Sequence, residues 1–330
     1  RPRVGSNDLM SDLRLSMALE HYDRHVPFVD GTVRPNGIEA QVLIVGQDGR
    51  GGRRHERMLL NREFDVCELS LGSYVMARAR GEDLNAIPVF PRRLFSQSQM
   101  YMNTDSDIES PSDLIGKRVA LRSFQTTLSV LAKGDLGHEY GVPLDGVTWV
   151  TTADEPVSFD PPKGITIERM DGRKLGDALV QGEVSAFLSP RPPQPYLDGA
   201  PEVARLFSDP QAEEVGYFKR NGFYPIMHVV AIKQSILDRD PWVALSLMSA
   251  FDEAKRVWSA YLDDPNWSRL AFGRQWLEEE RRLLGPDPWP YGVAANRANL
   301  ERFVQYEYEQ GLIPEPLSMA DLFTASTLDT

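Results

Sequence analysis

Leu13 to Leu19 alternates apolar and polar side chains, the pattern of a strand with one buried face. Similar reading predicts strands over 38–45, 64–69, 84–90, 99–103, 118–121, 147–152, 165–169, 184–188 and 224–232. Helical spacing falls between them: through Met58, Leu59 and Leu60, from Ser70 onward, over 128–140 and over 174–181. Ser110-Pro111 opens a further short helix, with Ser as N-cap and Pro in the first helical position. Gly46 to Gly52 reads as a flexible loop, and the stretch from Pro193 to Tyr224 as irregular. Beyond residue 240 the chain is mostly helical, over 241–261, 267–284 and 296–310.

Strands that alternate with helices predict an α/β fold with mostly parallel sheets. The middle of the chain has its own strand–helix set, bracketed by extended segments near 90–103 and 190–228. Two lobes are expected, each a mixed, mostly parallel sheet flanked by helices, with two crossovers. Lobe 1 takes 13–98 and 224–330, C-terminal helices included, and lobe 2 takes 99–223. There is no internal repeat, heptad array or low-complexity run.

Two strand–polar turn–helix units mark where a ligand would sit. In the first, the strand 118–121 reaches Arg122 and then Ser123-Phe124-Gln125-Thr126-Thr127 at a helix start. In the second, the strand 64–69 reaches Ser70-Leu71-Gly72-Ser73. A helix start aims unpaired N–H groups and partial positive charge at one point, which suits a carboxylate or phosphate. The plainer role for Thr126, Thr127, Ser70 or Ser73 is to cap its own helix. A third cluster, His21-Tyr22-Asp23-Arg24-His25, follows the strand 13–19. In open α/β sheets, the loops after strand carboxyl ends are where ligands bind.

Composition narrows the class. With 42% hydrophobic and 25% charged residues, the chain is that of an ordinary globular protein. A net charge of −12 with no basic stripe argues against a nucleic-acid partner. It leaves room for an anionic ligand, because a few inward-facing arginines can make a positive cleft. The single cysteine, Cys67, excludes an intrachain disulfide and a thiolate-rich metal site, and reads as a buried hydrophobe in its strand. No apolar run reaches membrane-span length, and the polar start, Arg1 to Asp12, lacks a secretory apolar core and is expected to be disordered. Cytoplasm is the simplest location.

Ser110-Pro111-Ser112-Asp113-Leu114-Ile115-Gly116-Lys117-Arg118-Val119 resembles the phrase that opens the second lobe of type 2 periplasmic binding proteins. A narrower resemblance covers nearly the whole chain. It is carried by Tyr22-Asp23-Arg24, Phe64-Asp65-Val66, Glu68-Leu69-Ser70 and Ile87-Pro88-Val89-Phe90-Pro91. It continues in Ser189-Pro190-Arg191-Pro192-Pro193, Pro225-Ile226-Met227-His228 and Trp289-Pro290-Tyr291-Gly292-Val293 with Asn296. Together these resemble the 4,5-dihydroxyphthalate decarboxylase family, a cytoplasmic branch that keeps the binding-protein fold. The resemblance implies non-oxidative loss of one carboxylate from a dihydroxylated phthalate, giving protocatechuate. His21 and His25 around the Tyr-Asp-Arg cluster, and the Gly-rich loop, are features of this chain.

A phthalate presents two adjacent carboxylates, and the forked guanidinium is their natural partner. Arg24, Arg92, Arg122 and Arg191 lie at strand ends or crossovers, and Arg93 is placed to substitute for Arg92. Ser70, Ser73, Gln125, Thr126 and Thr127 would add neutral donors. Decarboxylation also needs a proton at the ring carbon that loses CO2, and a polar partner for the hydroxyls. His228, at a lobe crossover, is the first candidate acid and His21 the second, with Asp23 or Glu68 orienting a histidine. Each has a plainer reading: His228 as a core histidine, Asp23 as the partner of Arg24 alone. His55 and His138 fall on helix faces expected to be solvated. No H-x-H or H-E-x-x-H pattern occurs, so no cofactor is expected. A metal would have to be gathered from distant residues such as His21, Glu68 and His228. The competing readings are a transporter's solute-binding module using the same cleft without chemistry, and a related lyase or hydrolase of another cyclic carboxylate. Trp258, Trp267, Trp276 and Trp289 are candidates to pack internally or against a second copy in a homo-oligomer.

Overall fold

The computed structural model describes residues 12–46 and 52–330. The expected disordered start and the middle of the Gly46–Gly52 loop lie outside those residues. The strands are β1 Leu13–Leu19, β2 Ile38–Ile44, β3 Val66–Ser70, β4 Leu84–Ile87, β5 Met100–Asn103, β6 Arg118–Leu121, β7 Thr148–Thr151, β8 Thr166–Arg169, β9 Ala186–Leu188, β10 Val203–Arg205 and β11 His228–Lys233. The longer helices are α1 Arg54–Asn61, α2 Leu71–Ala79, α3 Thr127–Tyr140, α4 Pro210–Asn221, α5 Val243–Tyr261, α6 Gly273–Leu284 and α7 Arg297–Glu309.

The strands form two sheets, one ordered β2-β1-β3-β11-β4 and the other β10-β5-β9-β6-β7-β8. In the first, β1 pairs in parallel with β2 and β3, and β11 returns antiparallel between β3 and β4. In the second, β9, β6, β7 and β8 run parallel, β5 pairs antiparallel with β9, and β10 pairs antiparallel with β5 at the edge. Each sheet is therefore mixed, and together they make a two-lobed α/β fold. Central β3 is buried at all five positions, as expected of a strand covered on both faces.

The stretch expected to be irregular holds β10 and α4. Asp209 accepts the Ala212 N–H at 3.0 Å, Pro210 occupies the first turn, and Gly222 closes the helix at φ 76. These are ordinary start and stop signals that the Pro-rich surroundings obscured.

The two halves meet closely. One apolar core joins Leu69 and Val229 of the first sheet to Leu121 and Trp149 of the second, and to Leu300 and Phe303 of α7. Helix α7 lies against the second half as well as the first: Gln310, just past its end, donates to the Val130 carbonyl at 2.8 Å, and Tyr306 donates to Asp135 at 3.1 Å. Two glycines permit the approach. A Cβ at Gly134 would stand 2.2 Å from the Tyr306 ring. One at Gly72 would stand 2.6 Å from the Gln125 carbonyl oxygen and 2.9 Å from Glu307 Oε1. Neither position tolerates a side chain without displacing a helix. Among the tryptophans, Trp289 is tied inward by donating to the Phe90 carbonyl at 2.7 Å, whereas Trp276 is exposed.

Candidate active site

A cavity of about 140 Å³ lies between the lobes, lined by Glu20, Arg54, His55, Arg92, Arg122, Ser189, Pro190, Arg191 and His228. Glu20 follows β1, Arg122 follows β6 and Ser189 to Arg191 follow β9, so three strand carboxyl ends open on one gap. Arg54 and His55 begin α1, Arg92 lies in the first crossover and His228 begins β11. The lobes touch here: Arg92 donates to the Pro190 carbonyl at 3.2 Å.

Strand register sets the chemistry. His228 lies opposite Ser70 across the β11–β3 pair, which makes Glu68 its diagonal neighbour on the same face. His228 Nδ1 donates to Glu68 Oε1 at 2.5 Å, and Oε2 of the same carboxylate accepts the Glu20 N–H at 2.9 Å. Arg54, with no exposed surface, donates to the Glu68 carbonyl at 3.0 Å and sets its guanidinium 3.4 Å from Glu68 Oε1. Burial pushes the Glu68 carboxyl up, but Arg54 and the His228 hydrogen bond outweigh it and hold the group well below the usual carboxylate range. Burial pulls His228 down to about 4 against the opposing pull of Glu68. At neutral pH the pair is thus a carboxylate and a neutral imidazole with its proton on Nδ1, and Nε2 is left to exchange protons.

The structure brings Glu68, His228, Arg92, Arg122 and Arg191 together and places other candidates elsewhere. His21 is exposed, so it does not meet Glu68 and His228. Asp23 is exposed too, and pairs with Arg24 at 3.0 Å. Arg24 donates to the Pro91 carbonyl at 2.6 Å and stacks over Tyr22 and Trp289, which anchors the loop. Arg93 is buried and donates to the Tyr224 and Pro290 carbonyls at 2.6 and 2.7 Å, tying both crossovers to the C-terminal segment. It does not replace Arg92.

The two helix starts face one another and spend their donors internally. Ser70 Oγ and Thr127 Oγ1 are 2.7 Å apart, and the Gly72 N–H donates to Thr127 Oγ1 at 3.0 Å. Ser73 is buried, and Thr126 Oγ1 lies 2.7 Å from Ser129 Oγ within its own helix. The Phe124 and Gln125 N–H groups, predicted to attract an anion, donate to the Glu155 carboxylate at 2.6 and 3.2 Å. The Gln125 side chain also accepts the Val157 N–H at 3.0 Å. The physics expected of a helix start holds, but the anion belongs to the chain itself.

Sequence reading did not include Arg54 in the site and assigned His55 to solvent. His55 is buried, and its ring stands 5.0 Å from that of His228 at 88°. The available signal was position, since both residues follow β2 and its glycine-rich loop. His138, the other helix-face histidine, pairs with Glu309 at 2.7 Å and is partly exposed. Among the described residues, no group of three or more His, Cys, Asp or Glu is placed to hold a metal ion. Nor is any helix among them long and apolar enough to cross a membrane.

No family model matches the chain. It is 34% identical over 331 residues to a 4,5-dihydroxyphthalate decarboxylase of Comamonas testosteroni, covering 97% of this chain and 99% of that protein. A 4,5-dihydroxyphthalate decarboxylase of Pseudomonas putida is 32% identical over 219 residues, covering 64% of this chain and 83% of the relative. Among solved structures, the fold is similar to the periplasmic sulfonate-binding protein SsuA of Methylobacillus flagellatus, with TM-score 0.59, 14% identity, and coverage of 96% of this chain and 92% of that one. The desulfurization enzyme DSZB is also similar, with TM-score 0.52, 14% identity, and coverage of 96% and 98%. Fold and sequence agree: the chain belongs to the 4,5-dihydroxyphthalate decarboxylase family, carboxy-lyases built on the two-lobed periplasmic-binding-protein fold.

Proposed function

We propose that this protein decarboxylates 4,5-dihydroxyphthalate, or a close analogue, to protocatechuate in the gap between lobe 1 (13–98 and 224–330) and lobe 2 (99–223). The observation that carries the reading is the meeting of Arg92, Arg122 and Arg191 with the His228–Glu68 pair on one cavity. The cavity gathers the guanidinium groups of Arg54, Arg92, Arg122 and Arg191, a lining whose chemistry suits a ligand that carries carboxylates. A cavity of about 140 Å³ is the size that holds one benzene ring, so the carboxylates reach outward to the arginines.

Chemistry follows from those placements. The arginines orient the ring and hold the retained carboxylate. A ring hydroxyl para to the leaving carboxylate supplies electron density to its carbon. As the substrate binds, His228 Nε2 takes a proton from solution. The C–C bond then breaks, CO2 departs, and the electron pair left on the ring carbon takes that proton from Nε2, which returns the imidazole to its neutral form. Glu68 holds the imidazole on Nδ1 and balances its positive charge while Nε2 carries the proton.

Incubation with 4,5-dihydroxyphthalate should yield CO2 and protocatechuate in equal amounts. His228→Ala should lower the rate by about 10²- to 10⁴-fold while phthalate still binds. Saturable binding with no product from the wild-type protein would reject the reading in favour of solute capture.

A further inference from the structure

Arg54 combines two properties that are hard to reconcile in a simple ligand-binding residue. It borders the cavity, yet its side chain has no exposed surface and its donors are spent inside the protein. Nε donates to the Glu68 carbonyl at 3.0 Å, and NH1 donates to Glu20 Oε2 at 3.3 Å and to the Val45 carbonyl. NH2 donates to His55 Nε2 at 3.4 Å and lies 3.4 Å from Glu68 Oε1. One permanent cation therefore touches the ends of β1 and β2, the middle of β3, and the histidine beside His228.

We propose that Arg54 is a positioning residue which keeps Glu68 and His55 unprotonated, so that the one proton this buried cluster takes from solution goes to His228 Nε2, and only when a dianion enters. The inference rests on the proposed reading of the site. Its logic is electrostatic. Beside a guanidinium, a proton on Glu68 forfeits an ion pair, and a proton on His55 Nε2 would point at the NH2 donor. His228 is faced by Glu68 from β3, Arg54 and His55 from α1, Arg92 from the crossover and Glu20 from the end of β1. Arg122 and Arg191 border the same cavity from the second lobe. In the empty site, burial, with Arg92 and Arg54 nearby, disfavours a charged ring. Two carboxylates arriving on the arginines cancel that repulsion and leave Nε2 the cheapest place for a proton. The acid is thus armed by the substrate itself, and an empty cleft holds no idle imidazolium.

The test uses wild-type protein labelled with 15N in its histidine rings, and phthalate, the dianion without ring hydroxyls, as probe. In the free protein, His228 should stay neutral with its proton on Nδ1 from pH 5 to 8. Saturating phthalate should raise its titration by about two pH units or more while His55 remains neutral. Arg54→Gln should raise the free-state titration of His228 by about one unit, and Arg54→Lys should restore the wild-type position. The proposal is overturned if His228 stays neutral under saturating phthalate. It is equally overturned if a folded Arg54→Gln protein titrates as wild type. The phthalate experiment needs no variant, so a misfolded Arg54→Gln leaves the decision intact. Absence of turnover with 4,5-dihydroxyphthalate would instead sink the functional reading, and is measured separately.

Discussion

Two groups of buried ionisable residues lie in this protein, and burial has opposite outcomes in them. In the cleft, Glu68 receives donors from His228 and the Glu20 backbone and has Arg54 alongside, so it stays ionised. Between α3 and α7, Glu307 is just as buried, yet neither carboxylate oxygen has a hydrogen-bond partner, and burial lifts it well above the usual range. Lys133 nearby is pulled well below its usual value by burial, and donates to the Phe124 carbonyl at 2.7 Å. The cleft aims polar groups at its carboxylate; the helix interface leaves its carboxyl without a hydrogen-bond partner, and burial there favours the uncharged forms. What separates them is the guanidinium of Arg54 beside Glu68 and, after it, the donors aimed at that carboxylate.

That contrast can be broken by experiment. The largest effect should come from Glu68→Gln, which removes the charge but keeps the shape. Leaving Arg54 and His228 without their buried partner should cost about 3–5 kcal/mol in unfolding free energy by denaturant titration at pH 7. A loss near zero would mean that Glu68 is protonated and the two regions are alike.

A smaller effect, visible in pH dependence, is expected at Asp135. It accepts hydrogen bonds from Ser96 at 2.6 Å and Tyr306 at 3.1 Å, and burial pushes it up to about 7. A carboxyl raised in the folded state binds more protons folded than unfolded between its two pKa values. Its contribution is full at low pH and drains as pH rises toward 7, by up to about 1.4 kcal/mol per unit. Asp135→Asn has no such loss, so its stability relative to wild type should improve from pH 5 to 7. Parallel stability curves would show that Asp135 titrates normally.

The smallest change should follow Glu307→Gln, because burial already lifts this carboxyl well above the usual range and the amide keeps its shape. Its unfolding free energy at pH 6 should stay within about 1 kcal/mol of wild type. A loss as large as that of Glu68→Gln would mean that Glu307 is ionised and paired.

The sequence carried the lobes well because strand periodicity is local: β1 and β6 fall where alternation and a short apolar run place them. It also singled out His228 and Glu68, which the register of β3 and β11 brings into contact. Arg54 and His55 escaped because the run Arg53-Arg54-His55-Glu56-Arg57 reads as a solvated helix face. What buries Arg54 is Glu20 and Val45, just past the ends of β1 and β2, and Glu68 in the middle of β3, none visible to helical spacing. Glu155 escaped for the same reason. Its Pro-rich loop has no periodicity, and its partners are 30 and 31 residues away. Local pattern finds elements; it does not find which distant side chain will neutralise a helix start.

Helix α7 gives the molecule a third attachment between its halves. Two chain crossings alone would leave a hinge free to swing about the line joining them. A packed helix away from that line works as a stay, because separating the halves must pull Tyr306 off Gly134 and Asp135 or carry the helix along with one side. A restraint on how far the gap can widen is therefore built at Tyr306, at a distance from the arginines that line it.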